Sequence, residues 1–308
     1  MKRAFLFPGQ GAQVVGMGKE IYEKYEEAKK IYDRANEISG IDVKKICFEG
    51  PEEELNKTEN TQIAILTTSL AILEVLKSRG INADISVGLS LGEYGALIYS
   101  GIISFEDGIK LIQKRGYYMG NLLPKEEFQM AAVIGLDSSK IEEICKKIND
   151  SGKFLVPANY NCSVQTAISG TEEAVNEATQ LLKDAGAKRV IPLKTSGPFH
   201  TIKLEDAKKA YEKELEKIEF HPGKCKVIKN LDGTFYNEND DIKNILANHI
   251  INPVRFDKAI KLMQNEGVEE YVEIGPGKVL TGFIKKENRE AITYNINSLE
   301  TLEDYLNN

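Results

Sequence analysis

The pentapeptide Gly88-Leu-Ser-Leu-Gly92 offers the chain a nucleophile. An apolar run (Ile85, Val87, Leu89) leads into it, and a helix-compatible segment, Glu93 to Ser100, follows and stops at Gly101. Strand, sharp turn and helix in that order make a nucleophile elbow: glycines flank the serine because the bend leaves no room for a β-carbon, and the hydroxyl is pushed out at the helix N-terminus. The backbone N–H of Leu91 then points at an anion. Five residues are a short pattern, and the flanking strand and helix carry as much of the reading as the pattern does.

A serine hydroxyl needs a positioned base, most often histidine, and the chain has three. His221, in Phe220-His-Pro-Gly223, reads as an exposed turn residue. His249 lies in a helix before Asn252-Pro253, where a structural role serves at least as well as a chemical one. His200 follows Thr195-Ser-Gly-Pro-Phe199 and directly precedes a helix, a loop at a junction between two rhythms of the chain, so position favours it as the base. No aspartate or glutamate stands out as a third member. A backbone carbonyl can hold the imidazole in one tautomer as well as a carboxylate can, and the 248–252 loop is a candidate supplier.

The elements around these residues follow from apolar periodicity and turn signals. Residues 3–7 read as a strand ending in the tight loop Pro8-Gly-Gln-Gly-Ala-Gln13. Its glycines do not keep the spacing of a dinucleotide-binding turn, because Val14 falls where the third glycine is needed. Ile21, Tyr25, Ala28, Ile31, Ala35 and Ile38 mark one amphipathic helix. Short helices are expected over 42–48 and 51–57, a buried helix over 63–76, and a helix opened by Ser104-Phe-Glu-Asp107 that carries Arg115. From about residue 127 the order is strand (130–136), helix (138–148), strand (154–160), strand (164–169), helix (171–185) and strand (189–193), the β-α-β-β-α-β order of a ferredoxin-like unit. The tail returns to alternating helices and strands, with strands over 226–230, 270–274 and 292–296 and a helix over 255–264. The fold class expected is therefore α/β: a core with a mainly parallel sheet over 1–126 and 197–308, interrupted by a ferredoxin-like subdomain over 127–196. A cleft between the two would be a natural ligand site.

Composition is that of an ordinary globular protein, with 42% hydrophobic and 28% charged residues in a chain of 308. The net charge of −7 argues against a nucleic-acid partner, whose affinity comes from a basic face. Cys47, Cys145, Cys162 and Cys225 are widely spaced, with no C-x-x-C pair, so neither a zinc site nor a disulfide framework is expected, and a reducing cytoplasm is the expected setting. Ala4 to Phe7 is too short for a signal-peptide core, and Ile63 to Leu76 is interrupted by Thr67, Thr68, Ser69 and Glu74, so no membrane association is expected.

Seven stretches then accumulate in order: Phe7-Pro-Gly-Gln-Gly-Ala-Gln13, Gly88-Leu-Ser-Leu-Gly-Glu-Tyr94, Arg115-Gly116, Ala158-Asn-Tyr-Asn161 with Gln165, Gly197-Pro-Phe-His200, Asn252-Pro-Val254 and Glu273-Ile-Gly-Pro-Gly-Lys-Val-Leu280. Along its whole length the chain resembles the malonyl-CoA:acyl carrier protein transacylases of fatty-acid synthesis. The resemblance implies an α/β-hydrolase-like core with a ferredoxin-like insertion, and transfer of a malonyl group from malonyl-CoA to the phosphopantetheine thiol of acyl carrier protein through a malonyl-serine. It implies Ser90 as nucleophile, His200 as base, and Gln10 and Leu91 as backbone oxyanion donors. Arg115 would grip the malonyl carboxylate, Asn161 would line the site, and the His249 carbonyl would orient His200. Phe199 beside the base should narrow the pocket against a 2-methyl branch. No cofactor is implied, since CoA is a substrate carrier and phosphopantetheine belongs to the partner; a monomer is expected. Leu89 departs from the family's usual histidine and makes the pocket wall more apolar, while Ser163-Val164 replaces a common Pro-Gly pair. Lys188-Arg189 and Lys278, Lys285 and Lys286 are candidate contacts for an acidic carrier protein. A trans-acting polyketide acyltransferase is the near alternative, and a serine hydrolase or thioesterase the distant one.

Overall fold

A computed structural model describes residues 1–195 and 197–307; the expected junction at Ser196 and the last residue, Asn308, lie outside them. Five strands form one wholly parallel sheet: β1 (Arg3–Phe7), β2 (Ile85–Gly88), β7 (Lys226–Val227), β9 (Glu270–Ile274) and β10 (Ile292–Ile296), in the order β10-β9-β1-β2-β7. Successive residues of β1 enter different cores, Phe5 and Phe7 on one face, Ala4 and Leu6 on the other. Burial on both faces is what a parallel sheet covered by helices requires, and it explains why these strands read as continuous apolar runs.

The second sheet is built from β3 (Phe128–Ile134), β4 (Leu155–Cys162), β5 (Gln165–Thr171), β6 (Arg189–Leu193) and β8 (Val254–Arg255), in the order β6-β3-β5-β4-β8. Its first four strands are antiparallel neighbours, and helices Ser138–Asp150 and Glu172–Asp184 pack against them around Val133, Ile141, Leu155, Ile168, Val175 and Leu182. That is the ferredoxin-like order. β8 adds to it in parallel, Asn159 opposite Val254 and Tyr160 opposite Arg255, and ties the tail of the chain to the insertion.

Local chemistry explains most boundaries. Ser104 Oγ accepts the Asp107 N–H at 3.0 Å and opens helix Phe105–Asn121, which carries Arg115. Asp42, Asp137, Thr171 and Asp241 cap other helices in the same way. The buried helix runs Thr58–Ser78, longer than expected, and packs against helices Glu26–Ser39 and Phe105–Asn121. By length and composition it could cross a membrane, yet 83% of its apolar window is buried inside the protein.

Three expectations are corrected. The single helix expected from Ile21 to Ile38 is two, Lys19–Lys24 and Glu26–Ser39, because Tyr25 is extended (φ −112°, ψ 121°) and serves as the end of one and the start of the next. The strand expected over 226–230 stops at Val227. Ile228 instead bridges Phe235 and the Lys229 N–H bonds the Thr234 carbonyl at 2.8 Å, so the chain turns back at once. Arg255, expected to begin a helix, is the second residue of β8, and the helix is Phe256–Asn265.

Candidate active site

The C-terminal edge of the parallel sheet carries the elbow. β2 ends at Gly88, the chain turns through Leu89, Ser90 and Leu91, and helix Gly92–Ser100 begins. The Leu89 N–H bonds the Phe7 carbonyl at 3.0 Å, tying the elbow to the end of β1. A β-carbon on Gly88 would lie 1.9 Å from the carbonyl carbon of Gly92, and one on Gly92 would lie 2.1 Å from the Phe7 oxygen, so both glycines are sterically required. Ser90 has φ 55° and His200 φ 60°, the two non-glycine residues in the left-handed region among those described. Strain of about 1–3 kcal/mol at each persists only where the surroundings hold it, and it falls here on the nucleophile and base candidates.

Those two side chains meet. Ser90 Oγ lies 2.8 Å from His200 Nε2, and His200 Nδ1 lies 2.9 Å from the His249 carbonyl oxygen. A carbonyl only accepts, so Nδ1 carries the proton and the Nε2 lone pair faces the serine hydroxyl. His249 supplies its backbone and also stacks its ring on His200, centroids 4.9 Å apart. Burial first, then the neighbouring His249 and Arg115 side chains, hold the His200 pKa well below 6.5, against the opposing pull of backbone acceptors. The imidazole is therefore neutral, and able to accept a proton, at neutral pH. A base with a lowered pKa stays competent as pH falls, so kcat/KM should remain level down to about pH 6.5 and decline only below it. A pH–rate profile with its acid midpoint at or above that value would contradict this.

Arg115 reaches the same oxygen from helix Phe105–Asn121. It is 0% exposed; Nη2 donates to Ser90 Oγ at 3.1 Å and Nη1 to Gln62 Oε1 at 2.8 Å, while Nε has no partner. Among the described residues no carboxylate pairs with it. A cation this deep is costly without an anion, and the position for one is beside the nucleophile.

The backbone N–H groups of Gln10 and Leu91 bond no protein acceptor among the described residues, as oxyanion donors require. Gln10, Leu89, Ser90, Asn161, Phe199 and His200 line a cleft of about 520 Å³ between the two sheets. Arg115, Leu91 and His249 lie behind its wall rather than on it. Asn161 sits where the β4–β5 register slips between Tyr160 and Cys162, and its Oδ1 is buried without a partner. Such a bulge turns a side chain towards a site. His221 stays remote and half exposed. Lys188, Arg189, Lys278, Lys285 and Lys286 are all exposed, and Lys286 Nζ donates to Gln165, itself on the cleft wall, at 2.7 Å.

Two residues of the site escaped the sequence. Gln62 clamps Arg115; it stands just before the apolar run 63–76 and shares its helix with the buried Thr61, Thr67, Thr68 and Ser69, so residue type alone did not single it out. Asn230, whose side chain brackets the elbow, stands before Asp232-Gly233 and looks like any turn residue.

The model of the acyl transferase domain matches residues 4–302 of this chain. The chain belongs to the acyl transferase family. Among curated relatives of this acyl transferase, the malonyl CoA-acyl carrier protein transacylase of Bacillus subtilis is 42% identical over 302 residues, 98% of this chain and 95% of that one. The crystal structure of a malonyl CoA-acyl carrier protein transacylase from Clostridium perfringens superposes with a TM-score of 0.95 at 43% identity, covering 100% of this chain and 96% of the other. A malonyl-transacylase in complex with its type II polyketide acyl-carrier protein does so with a TM-score of 0.95 at 35% identity, each chain covered in full. Both of these solved structures share the fold of this chain along its whole length.

Proposed function

We propose that this acyl transferase carries the malonyl group from malonyl-CoA to the phosphopantetheine thiol of an acyl carrier protein, by way of a malonyl ester on Ser90, and so supplies fatty-acid chain elongation. Arg115 is the observation that carries the substrate assignment: a fully buried guanidinium, without a carboxylate of its own among the described residues, 3.1 Å from the nucleophile. A planar guanidinium pairs a carboxylate through two parallel hydrogen bonds, which acetyl-CoA cannot offer.

Ser90 Oγ attacks the thioester carbonyl and its proton passes to His200 Nε2. Negative charge grows on the carbonyl oxygen, facing the N–H groups of Gln10 and Leu91, each worth about 3–4 kcal/mol in such a role. The C–S bond breaks and the His200 proton goes to the CoA thiolate. The carrier-protein thiol then gives its proton to His200, attacks the malonyl-serine ester and restores Ser90, a ping-pong exchange. These steps need no resident cofactor. All the groups come from one chain, in keeping with a monomer, and four free cysteines suit a cytoplasmic setting. Phe199, 5% exposed beside His200, crowds the position of a 2-methyl branch and favours malonyl over methylmalonyl.

The complex of a similar malonyl-transacylase with a polyketide carrier protein favours a second reading in which such carriers are also served. A hydrolase shares the elbow but has no use for Arg115. The test is a chase: protein acylated with malonyl-CoA is offered holo-acyl carrier protein or buffer alone. Discharge to the carrier protein at least about 100-fold faster than to water supports transfer, and equal rates favour a hydrolase. Leu89 makes the wall beside Ser90 apolar, so Leu89→His should speed the discharge to water; an unchanged rate would remove Leu89 from water exclusion.

A further inference from the structure

A buried carboxylate, Glu93, is the second residue of the elbow helix and is 0% exposed. Its Oε1 accepts the Asn230 backbone N–H at 3.1 Å and the Tyr236 hydroxyl at 2.8 Å. Its Oε2 lies 3.0 Å from His249 Nδ1, in contact although neither atom is aligned for a hydrogen bond. The Asn230 side chain, 2% exposed, brackets the elbow: Oδ1 accepts the Ser90 N–H at 2.7 Å and Nδ2 donates to the Gly88 carbonyl at 2.7 Å.

These contacts connect the two halves of the chemistry. Ser90 is held in its left-handed conformation by a carboxamide fixed on both sides of the turn, at residues 88 and 90. The Ser90 N–H is consumed by that bond, which leaves the oxyanion to other donors. On the opposite side, His249 presents the carbonyl that orients His200 and stacks its ring on the base. Glu93 touches both Asn230 and His249, so displacement of one half is felt by the other.

Resting on the assignment of Ser90 and His200 to malonyl transfer, we propose that Asn230 and Glu93 are positioning residues for it. Asn230 sets the Ser90 hydroxyl through the elbow backbone, and Glu93 fastens that clamp to His249, keeping nucleophile and base in one register. Neither residue bonds Arg115 or lines the cleft itself, and Asn230 meets the wall only at the backbone of Ser90, so their loss should spare substrate binding.

The experiment is single-turnover acylation of Ser90 by malonyl-CoA, followed by intact mass, in Asn230→Ala, Glu93→Gln and the double variant. Misplacement of reacting atoms by an ångström costs on the order of 100-fold. Asn230→Ala should lower the acylation rate at saturation by about 30- to 100-fold and Glu93→Gln by about 10-fold, each with half-saturating malonyl-CoA within about twofold of the unaltered protein. The double variant should match Asn230→Ala, because the two residues act in series. Rates within twofold of the unaltered protein, half-saturation rising in step with the rate loss, or losses that multiply would each overturn the inference. If Asn230→Ala does not fold, Asn230→Asp keeps the side-chain shape and the acceptor for the Ser90 N–H but turns an oxygen on the Gly88 carbonyl, and the same rate loss at unchanged half-saturation is expected. Failure of the unaltered protein to form any Ser90 ester would sink the transfer assignment itself, an outcome distinct from variants that acylate normally.

Discussion

A His200→Ala variant is expected to acylate Ser90 from malonyl-CoA about 10⁴-fold more slowly than the unaltered protein, with half-saturating malonyl-CoA unchanged. Ser90 Oγ has His200 Nε2 at 2.8 Å as its proton acceptor, and Arg115, its other neighbour, can only donate. Without the imidazole the hydroxyl keeps its proton near neutral pH and the departing CoA thiolate has no general acid. The carboxylate-binding group is untouched, which is why binding should survive. Rapid-quench acylation measures both quantities. A loss of less than about 10-fold would assign the base elsewhere, and a matching rise in half-saturation would make His200 a binding residue.

Arg115→Ala is expected to lower malonyl acylation by about 30- to 5,000-fold, the cost of about 2–5 kcal/mol when one partner of a desolvated charge pair is removed. Acetyl-CoA, which has no second carboxylate, should lose far less, so the preference for malonyl collapses. Arg115→Lys should recover only part of it, since an ammonium lacks the planar fork and cannot hold Gln62 and a carboxylate in the same geometry. Burial of a cation without a carboxylate partner also implies a stability cost in the free protein. Arg115→Met should therefore melt no lower than the unaltered chain while failing at malonyl transfer. Competition between malonyl-CoA and acetyl-CoA decides the matter: malonyl transfer intact in Arg115→Ala, with no relative gain for acetyl, would exclude Arg115 from substrate recognition.

Much of this was legible in the amino-acid order because local rules and the fold agree. Strands β1, β6, β9 and β10 end where the apolar runs end, with Pro8 stopping the first and the turn Gly275-Pro-Gly277 following the third. Ser104 and Thr171 announce helices with their own side chains. The break at Tyr25 left no trace, because Ile21, Tyr25 and Ala28 keep helical spacing across it. β8 is two residues long and exists only because Asn159 and Tyr160 lie alongside. At the site, Ser90 and His200 could be chosen by residue type and loop position, whereas Arg115 by itself looks like one more arginine on a helix; the family resemblance singled it out, and the fold seals it against Ser90. Asn230 comes 140 residues after the serine it clamps, and no local pattern encodes such a contact.

The measurement that bears most directly on the account is intact mass after mixing with malonyl-CoA. One malonyl group should add to the unaltered protein, map to Ser90, be absent from Ser90→Ala, and leave when holo-acyl carrier protein is supplied. An adduct that persists in Ser90→Ala, or no adduct on the unaltered protein, would contradict it.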